Sequence, residues 1–412
     1  MDPRPYLMKN KIQNYEWGTR EEKAFIPKFL AMDPVGNKPY AELWIGAHPN
    51  APSDVLMGDT WTSLIDLVND FPREILGVYA DVMGIPTKFP FLLKILSIAE
   101  PLSIQTHPNR FQAKSLHSQD PINYPDDNHK PEIAIALDSL NAFVGFKDHD
   151  QLVDTIKEYP ELRVFANHKK QNDLTGLDLS PDESEAFIKE ICTSLINSSE
   201  KEGYLAELIL QIEERIKHTP QTNNETENLF LQLSEKYPGD IGLIFMLLLK
   251  IVHIEKGDAI FIRPGVPHAY VSGNIVECMA SSDNVVRAGL TPKFKDLKTL
   301  ANIISYSQSN FYVPTLQVSQ NEVVFQTPAK EFTISVIKLN GTANVDLLTQ
   351  NSPEVLLILD GDLQIKWGDA SQQKLQELHQ GNSILIPAFL SGYTIISQTS
   401  ANIVRVRVPQ QD

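Results

Sequence analysis

The stretch VHIEKGDAIFIRPGVPHAYVSGNIVE, Val252–Glu277, decides the fold. Val252, Ile254 and the polar residues between them alternate up to Gly257, a tight turn follows, and an apolar run closes at Pro264. Successive strand residues face opposite ways, so short runs of this kind bounded by Gly and Pro mark strands. A related stretch, LHQGNSILIPAFLSGYTIISQTSANIVRVRV, spans Leu378–Val408. Gly257, Ile260, Ile262 and Pro264 line up with Gly381, Ile384, Ile386 and Pro387, allowing a slip of one residue. A strand, tight turn and strand repeated in two places predicts two related double-sheeted β-barrels. The second copy has no histidine where the first has His268, which assigns any chemistry to the first.

Working outward, residues 1–150 hold short apolar runs broken by Pro, Gly and Asn, as in YAELWIGAHPNAPS and PFLLKILSIAEPLSIQTHPN, and predict strands and loops with few helices. The period changes over 151–250. In SPDESEAFIKEICTSLI, Ser180 is a helix N-cap, Pro181 the first helical residue and Glu183 the capping-box partner. Phe187, Ile191 and Leu195 follow at helical spacing, as do Leu205, Leu208, Ile209, Ile212 and Ile216. The expected fold is therefore mainly β with a helical insertion. Residues 1–150 and 251–315 are read as one discontinuous barrel, 151–250 as the insertion, and 316–412 as a second, metal-free barrel.

At 412 residues the chain exceeds the size at which single cores stop growing. The formal charge of −16 disfavours nucleic acid and anionic membranes as partners. An anionic small ligand then needs a local basic pocket. The most apolar run, IGLIFMLLLKIV, is interrupted by Lys250, and the N-terminal residues lack a signal-peptide centre. Two cysteines, Cys192 and Cys278, argue for a reducing, cytoplasmic setting.

Four residues in three stretches are candidate metal ligands: Gln105 and His107 in LSIQTHPNR, Glu132 in NHKPEIAIAL, and His268 in RPGVPHAY. Gln105 and His107, two apart on a strand, face the same way. This arrangement resembles the jelly-roll barrels called cupins. There a metal is held by two ligands spaced i, i+2, an acid further on, and a His after a Pro-Gly turn. Two imidazoles, a carboxylate and an amide oxygen suit Zn²⁺ and leave the site a net positive charge, which favours Lewis-acid work over structural closure.

The runs YPDDNHKPE (Tyr124–Glu132) and HAYVSGNIVECMASSDNVVRAGLTPK (His268–Lys293) resemble the two signature segments of the type I mannose-6-phosphate isomerases. The resemblance continues in NYEWG, AELWIGAHPNAPS and LSIQTHPN, and it covers essentially the whole chain. It implies a single Zn²⁺ held by Gln105, His107, Glu132 and His268. It implies catalytic roles for Arg287, Glu277, Lys130, Tyr270 and Asp283, and substrate or phosphate binding by Lys94, Ser103, Lys293 and Trp17. It further implies a monomer that interconverts mannose 6-phosphate and fructose 6-phosphate through an enediol, for GDP-mannose synthesis and glycosylation. The proton-abstracting base stays open between Glu277, Lys130 and a hydroxide on the metal. Phosphate capture is expected of Lys94, Ser103 and Lys293 or Arg287. His48 is read as a structural or pocket-wall residue, and His117, His129, His149, His168, His218, His253 and His379 as background. An Fe(II) oxygenase fits the Gln ligand poorly. A sugar-storage barrel would not need the basic residues.

Overall fold

The computed structural model describes residues 1–83, 88–166, 180–218, 224–307, 310–368 and 373–409. Its strands form sheets of nine, ten and four members, paired in antiparallel ladders. In the ten-stranded sheet the long strand His268–Ala280 lies against Phe91–Ile98, Glu132–Ala136 and Leu140–Phe146. Phe91–Ile98 is buried at every position, as expected of a strand covered on both faces. The short strand Ile104–Thr106 sits between His268–Ala280 and Val286–Gly289, so Gln105 is opposite both His268 and Arg287.

Between Phe146 and Leu249 the chain is helical among the described residues, with helices His149–Glu158, Pro181–Ser198, Tyr204–His218, Glu225–Lys236 and Gly242–Leu248. Ser180 caps Pro181–Ser198 in a capping box with Glu183, and Asn224 and Glu227 do the same for Glu225–Lys236. The apolar stripes read from the sequence meet in one core that includes Phe187, Ile191, Leu195, Leu208 and Ile212. The run from Gly242 is a fully buried helix that turns directly into the strand Leu249–Ile254. No helix is long and apolar enough to cross a membrane among the described residues.

Two expectations need correction. The first 150 residues are richer in helix than expected, with Leu64–Asp70, Pro72–Leu76, Val78–Met83 and Arg110–Gln119. Arg110–Gln119, capped by Asn109 with Gln112, occupies the loop-out between His107 and Glu132. The division at residues 315 and 316 is not clean either. The strand Tyr6–Lys9 pairs with Ser383–Ile386, Tyr6 opposite Leu385, and brings the hairpin Asp54–Met57 and Thr60–Ser63 into the nine-stranded sheet of the C-terminal lobe. One core then contains Leu93, Ile95, Val276 and Cys278 beside Val355, Leu385, Val404 and Val406. Joining the lobes this way buries the face of the nine-stranded sheet that would otherwise be wet. Its other face packs on the four-stranded sheet through Ile358, Ile365, Ile395 and Ile403.

Candidate active site

His107, Glu132 and His268 come from three segments far apart in the sequence and meet with their ligand atoms within 4.8 Å of one another. His268 opens the long strand, Glu132 opens the strand Glu132–Ala136, and His107 follows Ile104–Thr106 directly. All three are buried. Glu132 Oε2 lies 3.4 Å from His107 Nε2 and 3.4 Å from His268 Nε2. These three atoms have no hydrogen-bond partner. The other ring nitrogens are committed: Nδ1 of His107 donates to the Asn284 carbonyl at 2.8 Å, and Nδ1 of His268 to the Val266 carbonyl at 3.0 Å. A carbonyl only accepts, so both rings are held with the Nδ1–H tautomer and turn a bare lone pair inward.

That pattern fits a divalent ion. Metal–ligand arms of about 2.0–2.1 Å at tetrahedral angles put neighbouring ligand atoms about 3.3–3.4 Å apart, which matches the two separations found. Burial pushes the His107 imidazole down to about 4, partly opposed by the Glu132 charge. Glu132 is held well below the usual carboxylate range, because Lys130 and His107 outweigh its burial. The ligand forms, neutral imidazole and carboxylate, are thus the ones present at neutral pH. Gln105 belongs to the same wall, with its Oε1 3.4 Å from the Ser103 hydroxyl that donates to it.

Glu132 and Gln105 reach from the cluster into the wall of a cleft of about 850 Å³. Every other residue expected at the site lines it: Trp17, Lys94, Ser103, Lys130, Tyr270, Glu277, Asp283, Arg287 and Lys293. Their charges divide into committed and free. Lys94 Nζ sits 3.2 Å from Glu42 and 3.3 Å from Glu277, directly across the ladder from Glu277. Burial alone would strip its proton, but the carboxylates around it raise its affinity above that of an ordinary lysine. Lys130 Nζ lies 2.9 Å from Glu132 Oε1. Burial raises Glu277 above the ordinary glutamate value, against the pull of Lys94. It also raises the Tyr270 phenol, whose hydroxyl has no hydrogen-bond partner. Arg287 and Lys293, in contrast, form no ion pair among the described residues. Half-buried Arg287 has its proton affinity lowered by desolvation, yet stays a cation at any physiological pH.

His48 stands outside the His107, Glu132 and His268 cluster. The Asn50 backbone N–H donates to its Nδ1, so Nε2 carries the proton and donates to Asp283 Oδ1 at 2.8 Å. Burial would raise the Asp283 carboxyl, but this bond and the nearby charges lower it overall. Among the cleft residues that sequence reasoning missed, Lys236 and Tyr237 come from the insertion. They lie at the end of the helix Glu225–Lys236, and only the tertiary fold brings them to the site. Of the background histidines, His168 lies outside the described residues, and His379 pairs with Asp362 on the surface. His129 bonds Glu331 of the C-terminal lobe at 2.8 Å.

A mostly β fold with a helical insertion thus sets a buried His/Glu/His cluster, able to hold a metal ion, beside a cleft lined by cations without ion-pair partners among the described residues. Residues 6–149 match the family described as phosphomannose isomerase type I, catalytic domain, and residues 163–249 its helical insertion domain. The chain is 35% identical over 395 residues to the mannose-6-phosphate isomerase of Candida albicans, covering 88% of this chain and 89% of that one. It also resembles the crystal structure of an arginine-to-alanine variant of phosphomannose isomerase from Salmonella typhimurium, with 26% identity and a TM-score of 0.84 over 98% of this chain and all of that one. A mannose 6-phosphate isomerase structure bound with zinc and yttrium matches at TM-score 0.82 and 26% identity over 98% of this chain and all of the other. The chain belongs to the type I phosphomannose isomerase family, whose named members are aldose–ketose isomerases.

Proposed function

We propose that the chain is a zinc-dependent isomerase interconverting mannose 6-phosphate and fructose 6-phosphate. The observation that carries this reading is the trio of bare atoms on His107, Glu132 and His268, with Glu132 Oε2 at tetrahedral-ligand distance from both imidazoles and Glu132 itself lining the cleft that holds Arg287 and Lys293. One zinc per chain, held by these three and by the amide oxygen of Gln105, would supply Lewis acidity to the sugar oxygens on carbons 1 and 2.

The remaining work belongs to side chains. Isomerisation moves the hydrogen on carbon 2 to carbon 1 and the hydroxyl proton on oxygen 2 to oxygen 1, through an enediol with charge developing on oxygen. Glu277 acts as the base at carbon: burial lifts its proton affinity toward the working range, and Lys94 fixes its orientation. Arg287, a fixed cation without a carboxylate partner, stabilises the developing oxyanion. With its own charge matched by Glu42 and Glu277, Lys94 is not free for phosphate. Ser103 and Lys293 take that role. Tyr270, Asp283 and Lys130 orient the hydroxyls, and Trp17 walls the cleft. Both lobes are read as jelly-roll barrels, the second metal-free, and the enzyme as a cytoplasmic monomer feeding GDP-mannose synthesis.

The test is conversion of mannose 6-phosphate to fructose 6-phosphate by the purified chain, before and after chelation and after zinc is returned. Loss and recovery support the reading. Full activity in a metal-free chain, or none in a zinc-loaded one, overturns it.

A further inference from the structure

The helical insertion reaches the cleft at one place. The helix Glu225–Lys236 ends there, and Lys236 and Tyr237 line the same cavity as Arg287 and Lys293. This approach is fixed by the backbone. Asp240 Oδ1 accepts from the N–H of Gly242 at 2.7 Å and from the N–H of Leu290 at 2.8 Å, while Oδ2 binds Lys295 at 2.6 Å. The two segments touch so closely that a Cβ on Gly289 would collide with Gly242 Cα, a contact only glycines allow. Leu290 takes a left-handed φ of 56° to follow the bend. The segment just after Lys236 and the segment carrying Arg287 and Lys293 are therefore tied into one unit. Lys236 is held in register with the free cations of the cleft.

At present Lys236 is engaged by Glu100, on the loop after Phe91–Ile98, in an ion pair that spans from the insertion to the β lobe. Both side chains are about half exposed, 47% and 45%. Such a pair contributes little net stability and is readily exchanged for another partner. A phosphate monoester brings a charge of about −1.5 to −2 and three strong acceptor oxygens. In a chain of net charge −16 it gains from every cation at the mouth.

We propose that Lys236 is a substrate-binding residue: the insertion lends it to the phosphoryl end of the sugar, and Glu100 holds it until the phosphate takes over. The proposal rests on the cleft being the site for a phosphorylated sugar. It gives the insertion a chemical role at the site. It also makes Glu100 an internal competitor of the substrate.

Two substitutions separate this from a plain structural tie, because they act in opposite directions. Lys236→Ala removes the cation and should raise KM for mannose 6-phosphate, and Kd for inorganic phosphate measured by calorimetry, about fivefold. The change should fall on KM rather than kcat. Glu100→Gln frees the cation and should lower both values. If the pair only ties insertion to β lobe, both variants break the same tie and shift the values the same way. That result, or a phosphate Kd unchanged in Lys236→Ala, overturns the proposal. Opposite shifts in phosphate Kd in a chain that leaves mannose 6-phosphate unconverted would keep the anion site and overturn the isomerase reading instead.

Discussion

Two of the buried clusters of charge among the described residues are completed in opposite ways. In the C-terminal lobe Arg405 spends each of its nitrogens: Nε and Nη2 on Glu354, Nη1 on Glu322, and Nη2 also on the Leu348 carbonyl. The Tyr393 hydroxyl donates to Glu354, and the Ser335 hydroxyl to Glu322. In the other lobe His107, Glu132 and His268 are packed just as deeply, yet each keeps one bare atom pointed at a common centre. A buried polar group left without a partner costs stability. Three such atoms in one place are tolerable when something binds there. A closed network holds strands together; an open one holds a ligand.

The largest expected effect breaks the open cluster. His268→Ala should lower kcat/KM for mannose 6-phosphate about a thousandfold or more, while the unfolding midpoint of the chelated protein, followed by circular dichroism, stays near that of the parent. Breaking the closed cluster should do the reverse. Arg405→Ala leaves Glu322 and Glu354 buried without their cation, so a loss of about 3–5 kcal/mol is expected in urea unfolding, with zinc content unchanged.

Acid sharpens the contrast. Folding lowers the His107 value from 6.5 to about 4, so this residue contributes stability that is fully present above 6.5 and lost as pH falls toward 4. The metal-free protein should therefore weaken over that window, and His107→Gln should flatten the slope. Lys94→Ala should lower kcat by roughly a hundredfold with KM little changed, because its partner is Glu277 and not the phosphate. A raised KM with kcat intact would restore the reading taken from sequence. The smallest effect belongs to Tyr393→Phe, which removes one donor from Glu354 and should cost about 1 kcal/mol in the same urea experiment.

Local rules carried much of the fold. The capping box at Ser180 and Glu183 and the apolar spacing from Phe187 to Leu195 sit in the chain where the helix forms. The Pro-Gly turn before His268 likewise lies next to the strand it starts. What the sequence hid is long-range. The pairing of Tyr6 with Leu385 has no local mark, because any strand edge can accept any other. Arg405 in VRVRV reads as one of two outward residues. It shares its face with Ile403, however, and that face is covered by the four-stranded sheet. The meeting of His107, Glu132 and His268 was legible because ligand chemistry restricts residue type so tightly. The commitment of Lys94 to Glu42 and Glu277 was not, since it depends on which strands lie side by side.

The most direct measurement is the metal content of the purified chain, by mass spectrometry of the elements, alongside His268→Ala and Arg405→Ala. The expected result is one zinc per chain in the parent, a marked loss in His268→Ala, and full retention in Arg405→Ala. Equal zinc in the parent and His268→Ala, or none in an active parent, would contradict the assignment of the open cluster as the metal centre.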